Sequence, residues 1–173
     1  KQTNLWDVRR QKLGGFSGGM RQRFGVAIAM LGNPKLIIVD EPTAGLDPAE
    51  RVRFLNMLSE LGENSVVILS THIVEDVSEL CTRMAVINKG EILLETEPSK
   101  AIEDLQGKVW RKIIHKNEIP KLEQDYLLLS TKLLSGRRVV HIYNEGFPEG
   151  DFEAIPPDLE DVYFYVISQH NRN

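Results

Sequence analysis

The chain has 173 residues, of which 42% are hydrophobic, and a formal net charge of −4 at pH 7. This length is enough for one sizeable core and a smaller second unit. The mildly acidic balance gives no reason to expect a nucleic-acid partner. The single cysteine, Cys81, excludes an internal disulfide framework and favours a reducing compartment. No apolar run approaches the ~20 residues needed to cross a bilayer, and no secretory signal is visible.

The first half of the chain alternates between helix and strand patterns. Its predicted elements are, in chain order, a helix over 19–31, a strand over 36–39, a helix over 49–61, a strand over 65–70, a helix over 73–81 and a strand over 84–87. The continuous apolar run at 36–39 is typical of a strand buried on both faces. Strands separated by helices predict the α/β class, with a parallel sheet that has helices on both faces.

The pattern changes near Lys89 and Gly90. The elements predicted beyond this point are a hairpin of 84–88 with 91–95, a helix over 99–105, an alternating strand within 108–116, a hairpin of 126–134 with 137–143, and a last helix capped by Pro156, Pro157 and Asp158. Residues 1–90 carry 11 basic and 10 acidic side chains, whereas residues 91–173 carry 10 and 15. We therefore predict two units, residues 1–90 and a small α+β extension over residues 91–173.

Residues 14–23, GGFSGGMRQR, place four glycines directly before a helix-forming run. Glycine lets the backbone approach a ligand closely, and the unpaired N–H groups at a helix start favour phosphate. This stretch therefore predicts an anion site.

A second candidate site lies in LIIVDEP at 36–42, where a strand ends in two acids. The carboxyl edge of a parallel sheet is where open α/β proteins bind ligands. One of the two acids, Asp40 and Glu41, can hold a cation through water while the other orients or deprotonates an attacking water. The alternative is a pair of solvated carboxylates that opens a loop.

The next strand ends in Ser70-Thr71-His72, at the same predicted edge. His72 can donate a hydrogen bond to a phosphoryl oxygen, although a lone histidine after a strand is more often a surface residue. Between the two strands, AGLD at 44–47 is by default an ordinary turn in which Asp47 caps the following helix.

Taken together, FSGGMRQR, LIIVDEP, AGLD and STH, in this order and at these spacings, resemble the ATPase subunit of ATP-binding cassette (ABC) proteins over roughly residues 5–90. Phe16 stands where the family more often has leucine, a mild departure at an apolar position. The resemblance implies the C-terminal part of a P-loop NTPase sheet, with ATP and Mg²⁺ as cofactors. The resemblance implies that Ser17, Gly18 and Gly19 contact the γ-phosphate of ATP across a dimer interface. It implies that Asp40 supports Mg²⁺ and that Glu41 is the general base. Asp47 would be the interface-loop aspartate of the family, and His72 its switch histidine.

The partner phosphate loop of the family has the form GxxxxGK[ST], and it does not occur in the 173 residues. The pairs Lys89-Gly90 and Gly107-Lys108 lack its spacing and its Ser/Thr. Because the chain also begins at Lys1, we expect a piece of a longer ATPase that hydrolyses ATP, whereas the isolated chain does not. Without the family's strand that leads into this loop, strands 66–70 and 84–88 would each lack a neighbour, and their edges would invite pairing with another chain.

The resemblance also implies partners and a location. We expect a subunit that pairs with a second ATPase subunit, most simply a homodimer, and that drives a separate membrane permease from the cytoplasmic face. Residues 159–164, LEDVYF, are less specifically similar to the C-terminal extension of exporter-type ABC ATPases. The alternative for residues 91–173 is a packing appendage with no activity.

Two other function classes remain open. One is a soluble ABC protein that acts on chromosomes or ribosomes, for which long coiled-coil insertions or a second cassette would be expected, and neither is visible in the sequence. The other is a non-enzymatic dimerisation or regulatory module.

Overall fold

The computed structural model describes residue 3 and residues 5–172, and it divides into two compact units, Lys1–Leu80 and Cys81–Asn173. The ends of the predicted domains at residues 1 and 173 lie outside the described residues. The division between Leu80 and Cys81 comes earlier than the predicted one after residue 90, so residues 81–90 belong to the second unit by their contacts.

The first unit follows the predicted alternation of helix and strand. After a short 3₁₀ turn at Leu13–Gly15 come α1 (Gly18–Ala29), β1 (Leu36–Asp40), α2 (Pro48–Gly62), β2 (Val66–Ser70) and α3 (Val74–Leu80). β1 and β2 pair in parallel, with Leu36 opposite Val66 and Asp40 opposite Ser70. The two strands therefore end side by side, which confirms that their last residues meet at one edge.

The core of this unit lies on one face of the β1–β2 pair. Its buried centre is formed by Val26 of α1 and by Phe54, Met57 and Leu58 of α2. Val39 and Val67 from the strands, and Leu80 from α3, pack against this centre. All three helices thus contribute to a single apolar cluster on the face that carries the odd-numbered strand residues.

The opposite face of the pair is exposed. Leu36, Ile38, Val66 and Ile68 are 49%, 70%, 62% and 52% exposed, and they pair across the two strands. The prediction that the strand at 36–39 is buried on both faces is therefore wrong for this chain. A continuous apolar run shows that both faces suit burial, but not that the same chain supplies the cover for each.

The second unit begins with an antiparallel hairpin. β3 (Met84–Asn88) pairs with β4 (Glu91–Thr96), which confirms the predicted hairpin. The alternation of the first half had also predicted β3 as a third strand of the parallel sheet. In the described part of the chain, β4 is its partner. The tight turn at Lys89 and Gly90, both with positive φ, gives β3 this sequence-local partner.

The rest of the second unit is a four-stranded antiparallel sheet with helices. Its remaining elements are α4 (Pro98–Asp104), β5 (Val109–Ile114), a 3₁₀ turn (Lys116–Glu118), α5 (Ile119–Asp125), β6 (Leu127–Leu134), β7 (Arg137–Tyr143), β8 (Glu153–Ala154) and α6 (Leu159–Arg172). The strand order is β6-β7-β5-β8. The β6–β7 hairpin confirms the prediction, whereas α5 and β8 were not predicted.

The start of α6 is fixed by two aspartates. Asp158 Oδ1 accepts a hydrogen bond from Asp161 N at 2.8 Å, which confirms the predicted cap. Asp161, 1% exposed, in turn accepts from Asp158 N at 3.1 Å and lies 2.8 Å from Nδ1 of His141 on β7. The helix is thereby attached to the sheet through a buried carboxylate.

Candidate functional site

Polar side chains converge where β1 and β2 end. Ser70 Oγ donates a hydrogen bond to Asp40 Oδ1 across the strand pair, and Glu41 N donates to Ser70 O at 2.9 Å. These bonds fix the backbone at the point where Asp40 and Glu41 leave the sheet. The Asp40 side chain remains exposed at this edge.

Glu41 and His72 form the closest charged contact at this edge. His72 Nδ1 lies 2.6 Å from Glu41 Oε2, and the two side chains are 74% and 39% exposed. A hydrogen bond to the Glu41 carboxylate, together with its charge, raises the pKa of His72 above its ordinary value of 6.5. Glu41 also has a φ of 45°, in the left-handed region that is uncommon for residues other than glycine. The chain turns sharply at Glu41, which points its carboxylate toward His72.

In the glycine-rich turn before α1, Gly18 faces open space and Gly19 packs against neighbouring side chains. Ser17 is the N-cap of α1, and its Oγ accepts a hydrogen bond from Met20 N at 3.2 Å. A Cβ added to Gly18 would meet nothing within 4 Å. A Cβ on Gly19 would lie 3.0 Å from Glu50 Oε2 and 3.1 Å from Leu46 Cδ2. Gly19 is therefore needed for packing, whereas Gly18 leaves the backbone accessible to a ligand.

The loop between β1 and α2 lies against α1. Gln22 Nε2 on α1 donates to Ala44 O at 3.3 Å. Asp47 is the N-cap of α2, and its Oδ1 accepts from Glu50 N at 2.9 Å, as the default interpretation of AGLD predicts. Arg23 of α1 forms an ion pair with Glu50 of α2 and is 7% exposed. Burial lowers the pKa of Arg23. These contacts hold the predicted anion site next to the loop that contains Asp47.

A buried carboxylate that was not predicted from the sequence connects the loop after β1 with α2 and α3. Asp76 on α3 is fully buried, at 0% exposure. Its Oδ2 accepts a hydrogen bond from Thr43 Oγ1, and its Oδ1 accepts from Arg51 Nε at 2.6 Å. The bond to Asp76 raises the pKa of Arg51. The only sequence signal was an acid four residues beyond His72, and an acid in a helix is normally solvated.

The predicted site residues therefore fall into two groups. Asp40, Glu41 and His72 meet at the strand ends, while Ser17, Gly18 and Gly19 lie beside the loop that ends in Asp47. Within the part of the chain that the structure describes, no hydrogen bond or ion pair joins the first group to the glycine turn.

Several known proteins resemble this chain in sequence. Residues 1–44 match the ABC transporter family. An ABC transporter ATP-binding protein of Bacillus subtilis, YxlF, described as uncharacterized, is 32% identical over 189 residues that cover 95% of this chain and 61% of that protein. The chain is thus similar to ATP-binding proteins of ABC transporters over almost its whole length. A second B. subtilis member, YdbJ, is 43% identical over 55% of this chain and 32% of its own length.

Solved structures of the family agree with the fold. The ADP conformation of MJ1267, an ATP-binding cassette of an ABC transporter, superposes with a TM-score of 0.53 at 25% identity, covering 60% of this chain and 41% of that one. The α/β fold class predicted from the sequence is thereby confirmed. The chain spans about three fifths of YxlF and smaller shares of the other proteins compared here.

The residue types in the described part of the chain bear on metal binding and on membrane insertion. No group of three or more potential metal-ligating side chains occurs among residues 3 and 5–172. Over the same residues, no helix is long and apolar enough to cross a membrane. The exposed Asp40 side chain nevertheless fits Mg²⁺, because Mg²⁺ usually keeps several waters and binds through one or two carboxylates plus phosphates.

Proposed function

We propose that this chain is the C-terminal portion of the ATP-hydrolysing subunit of an ABC transporter. In this proposal two subunits enclose ATP, and the dimer drives a separate permease at the cytoplasmic face of the membrane. The observation that carries it is the 2.6 Å contact between Glu41 and His72 beside Asp40, at the carboxyl ends of two parallel strands. The exporter direction rests only on the resemblance of residues 159–164.

In this proposal each member of the contact handles a proton. Glu41 presents a half-exposed carboxylate that can accept the proton of an attacking water. Because Nδ1 of His72 faces Glu41, Nε2 is the ring nitrogen left to donate to a phosphoryl oxygen. Both nitrogens carry a proton only in the charged imidazolium, so the raised pKa of His72 favours this arrangement near neutral pH.

In this proposal the remaining residues bind Mg²⁺ and the phosphates of ATP. Asp40 has one oxygen occupied by Ser70 and an exposed side chain, so its other oxygen can hold Mg²⁺ through water. Gly18 offers open backbone at the start of α1, where N–H groups attract phosphate. We propose that Ser17, Gly18 and Gly19 serve the γ-phosphate of ATP held by the opposite subunit, with Asp47 at the same interface.

The first test concerns Glu41 in the longer protein that carries this chain. Glu41→Gln should lower ATP turnover by about 10² to 10⁴ because the amide cannot accept the proton. ATP should still bind, and the nucleotide-bound dimer should accumulate in size-exclusion chromatography. The matched control is Glu63→Gln, at the exposed C-cap of α2, which should hydrolyse ATP normally. Near-normal turnover by Glu41→Gln would remove Glu41 from this role.

The second test concerns the proposal that Ser17 contacts ATP held by the opposite subunit. Ser17→Arg should leave nucleotide affinity of the monomer almost unchanged while preventing ATP-dependent dimerisation, measured by light scattering. A collapse of monomer affinity would show that Ser17 serves nucleotide bound to its own subunit. For residues 1–173 alone, with mass verified, we expect no Mg²⁺-dependent ATP turnover, since GxxxxGK[ST] does not occur in them.

A further inference from the structure

The β6–β7 hairpin extends beyond the rest of its sheet. β5 ends at Ile114, whereas β6 and β7 continue to the pair Leu134 and Arg137. The two residues that join these strands, 135–136, both have positive φ. This is typical of the type I′ turn, which keeps two strands paired up to the turn itself. The end of the hairpin is therefore a narrow two-stranded ribbon, which we call the hairpin tip (residues 133–138).

Each face of the hairpin tip carries one leucine and one arginine. Residues that pair across two strands share a face, and neighbours along a strand lie on opposite faces. Leu133 pairs with Arg138, so these two residues lie on one face. Leu134 and Arg137 lie on the other face, and Ile113 at the end of β5 lies on the same face as Arg137. The tip thus combines apolar and basic side chains on both faces.

The aliphatic side chains at the tip are exposed. Leu133 and Leu134 are 70% and 60% exposed, and Ile113 is 57% exposed. One exposed aliphatic residue is ordinary, but a group of them at one place indicates an interaction site. A flat partner surface on one face of the ribbon would leave the leucine of the other face in water. Both faces are covered at once only by an environment that surrounds the tip.

The long strands of the sheet are basic in a unit that is otherwise acidic. Residues 105–117, which contain β5, and residues 126–143, which contain β6 and β7, have no aspartate or glutamate. Residues 91–173 as a whole carry 10 basic and 15 acidic side chains. The acids of this segment therefore lie outside the strands that form the tip.

The cations at the tip have no acidic partner. Within the described residues, Arg137 and Arg138 form no ion pair and no side-chain hydrogen bond, and neither does Lys116, which borders the same shallow depression. The acid next to Lys116 is already engaged, since Glu118 Oε2 accepts a hydrogen bond from His115 N at 2.6 Å. The positive charge at the tip is therefore left for an external anion.

We propose that the hairpin tip docks on an anionic lipid bilayer. The leucines of both faces enter the boundary between head groups and acyl chains, while Arg137, Arg138 and Lys116 reach the lipid phosphates. Basic side chains next to exposed aliphatic ones are typical of segments that lie in a membrane interface. Lipids surround an inserted tip, so they cover both of its faces. This inference does not depend on the proposed ATPase activity.

The docking is shallow. No strand pairs with the outer edge of β6 in the part of the chain that the structure describes. Backbone N–H and C=O groups along that edge need water or head groups as partners, because hydrocarbon offers none. The tip therefore lies at the level of the head groups and does not span the bilayer.

The test is co-sedimentation of the 173-residue chain with large vesicles. One set contains phosphatidylcholine and phosphatidylserine at about 2:1, and the other contains phosphatidylcholine alone. Binding to the anionic vesicles should be at least about tenfold tighter, since each cation near such a surface contributes about fivefold. It should weaken as NaCl is raised from about 50 to about 500 mM. Inorganic phosphate at constant ionic strength should not compete, because it offers the leucines no apolar phase.

The first pair of variants tests the cations. Arg137→Gln with Arg138→Gln should weaken binding to the anionic vesicles by about 30-fold. The matched control is Arg83→Gln with Arg111→Gln, which removes the same charge from arginines that already pair with acids. This control should have a much smaller effect. Circular dichroism verifies that each variant is folded, and the leucine variant carries the test if the arginine variant is not.

The second pair of variants tests the aliphatic side chains. Leu133→Ser with Leu134→Ser should weaken binding by about tenfold or more, because both side chains lose their apolar environment. Ile38→Ser with Ile68→Ser removes the exposed apolar face of the first unit instead, and it should leave binding unchanged at protein concentrations below self-association. Nitroxide-labelled lipid should broaden the amide NMR signals of residues 133–138 most strongly.

Five results would overturn the proposal. Three are equal binding to both kinds of vesicle, unchanged binding by the arginine or the leucine variant, and loss of binding in the Ile38 and Ile68 variant, which would assign the contact to the first unit. Displacement by inorganic phosphate at constant ionic strength would assign the cations to a free phosphate. A chain that bound polyglutamate and not the vesicles would assign the tip to an acidic protein.

Discussion

The buried carboxylate of Asp76 offers the sharpest test of how the first unit is stabilised. Asp76→Ala removes the acceptor for two donors on separate segments, Thr43 in the β1–α2 loop and Arg51 on α2. Thr43 is 3% exposed, so its hydroxyl would be left buried without a partner. We therefore expect this single change to destabilise the unit far more than a surface substitution does.

The size of the effect follows from the two bonds. Hydrogen bonds to charged groups contribute about 1.5–3 kcal/mol each, which gives an upper range of about 3–6 kcal/mol for Asp76. Arg51 is 25% exposed, so water and Glu79 at 3.5 Å can partly replace its lost partner. We expect a loss of about 2–4 kcal/mol, which is a large part of the ~5–15 kcal/mol typical of a domain.

Glu79→Ala is the matched control, because Glu79 lies on the same helix and faces the same arginine. Its side chain is 52% exposed, so its removal should cost less than about 1 kcal/mol. The assay is equilibrium urea unfolding of the chain by circular dichroism, with amide hydrogen exchange of β2 to assign the loss to the first unit. Equal losses for Asp76→Ala and Glu79→Ala would refute the reasoning.

Two other predictions concern the strand pair. In an NMR titration, His72 should have a pKa above 6.5, and Glu41→Gln should return it toward the ordinary value. Because the folded pKa is raised, the contribution of this contact to stability is complete below about pH 6.5 and is lost as the pH rises through the raised value. A histidine pKa unmoved by Glu41→Gln would contradict the contact. Ile38→Lys with Ile68→Lys should reduce self-association of the 173-residue chain in light scattering, since both residues lie on the exposed apolar face; unchanged association would show that this face is not involved.

The strand ends were predictable because their geometry follows from simple rules. Two apolar runs separated by a helix predict parallel strands, and parallel strands place their last residues at one edge. The positions of Asp40 and His72 at one edge of the sheet follow from those rules. The sharp turn at Glu41 does not, because a positive φ at glutamate has no sequence signal of the kind that Asn-Gly or Gly gives.

Other features depend on contacts that are remote in the sequence. Asp76 bonds to residues 25 and 33 positions away, and nothing in a helical sequence of seven residues separates a buried acid from a solvated one. The burial of β1 and β2 on one face only could also not be predicted from the sequence. Apolar composition reports what a face tolerates, whereas its actual cover depends on which helices are present.

The position of Asp76 relates stability to the geometry of the candidate site. Thr43 lies two residues after Glu41, and α3, which carries Asp76, begins two residues after His72. The same carboxylate therefore restrains both segments from which the 2.6 Å contact is made. It lies at 0% exposure and touches Thr43 and Arg51 rather than the exposed edge, so it acts by positioning. In the proposed ATPase, a loss of turnover on changing Asp76 would then be a loss of geometry at Glu41 and His72. Because the charge of Asp76 also raises the pKa of His72, removing Asp76 should in addition lower that pKa directly.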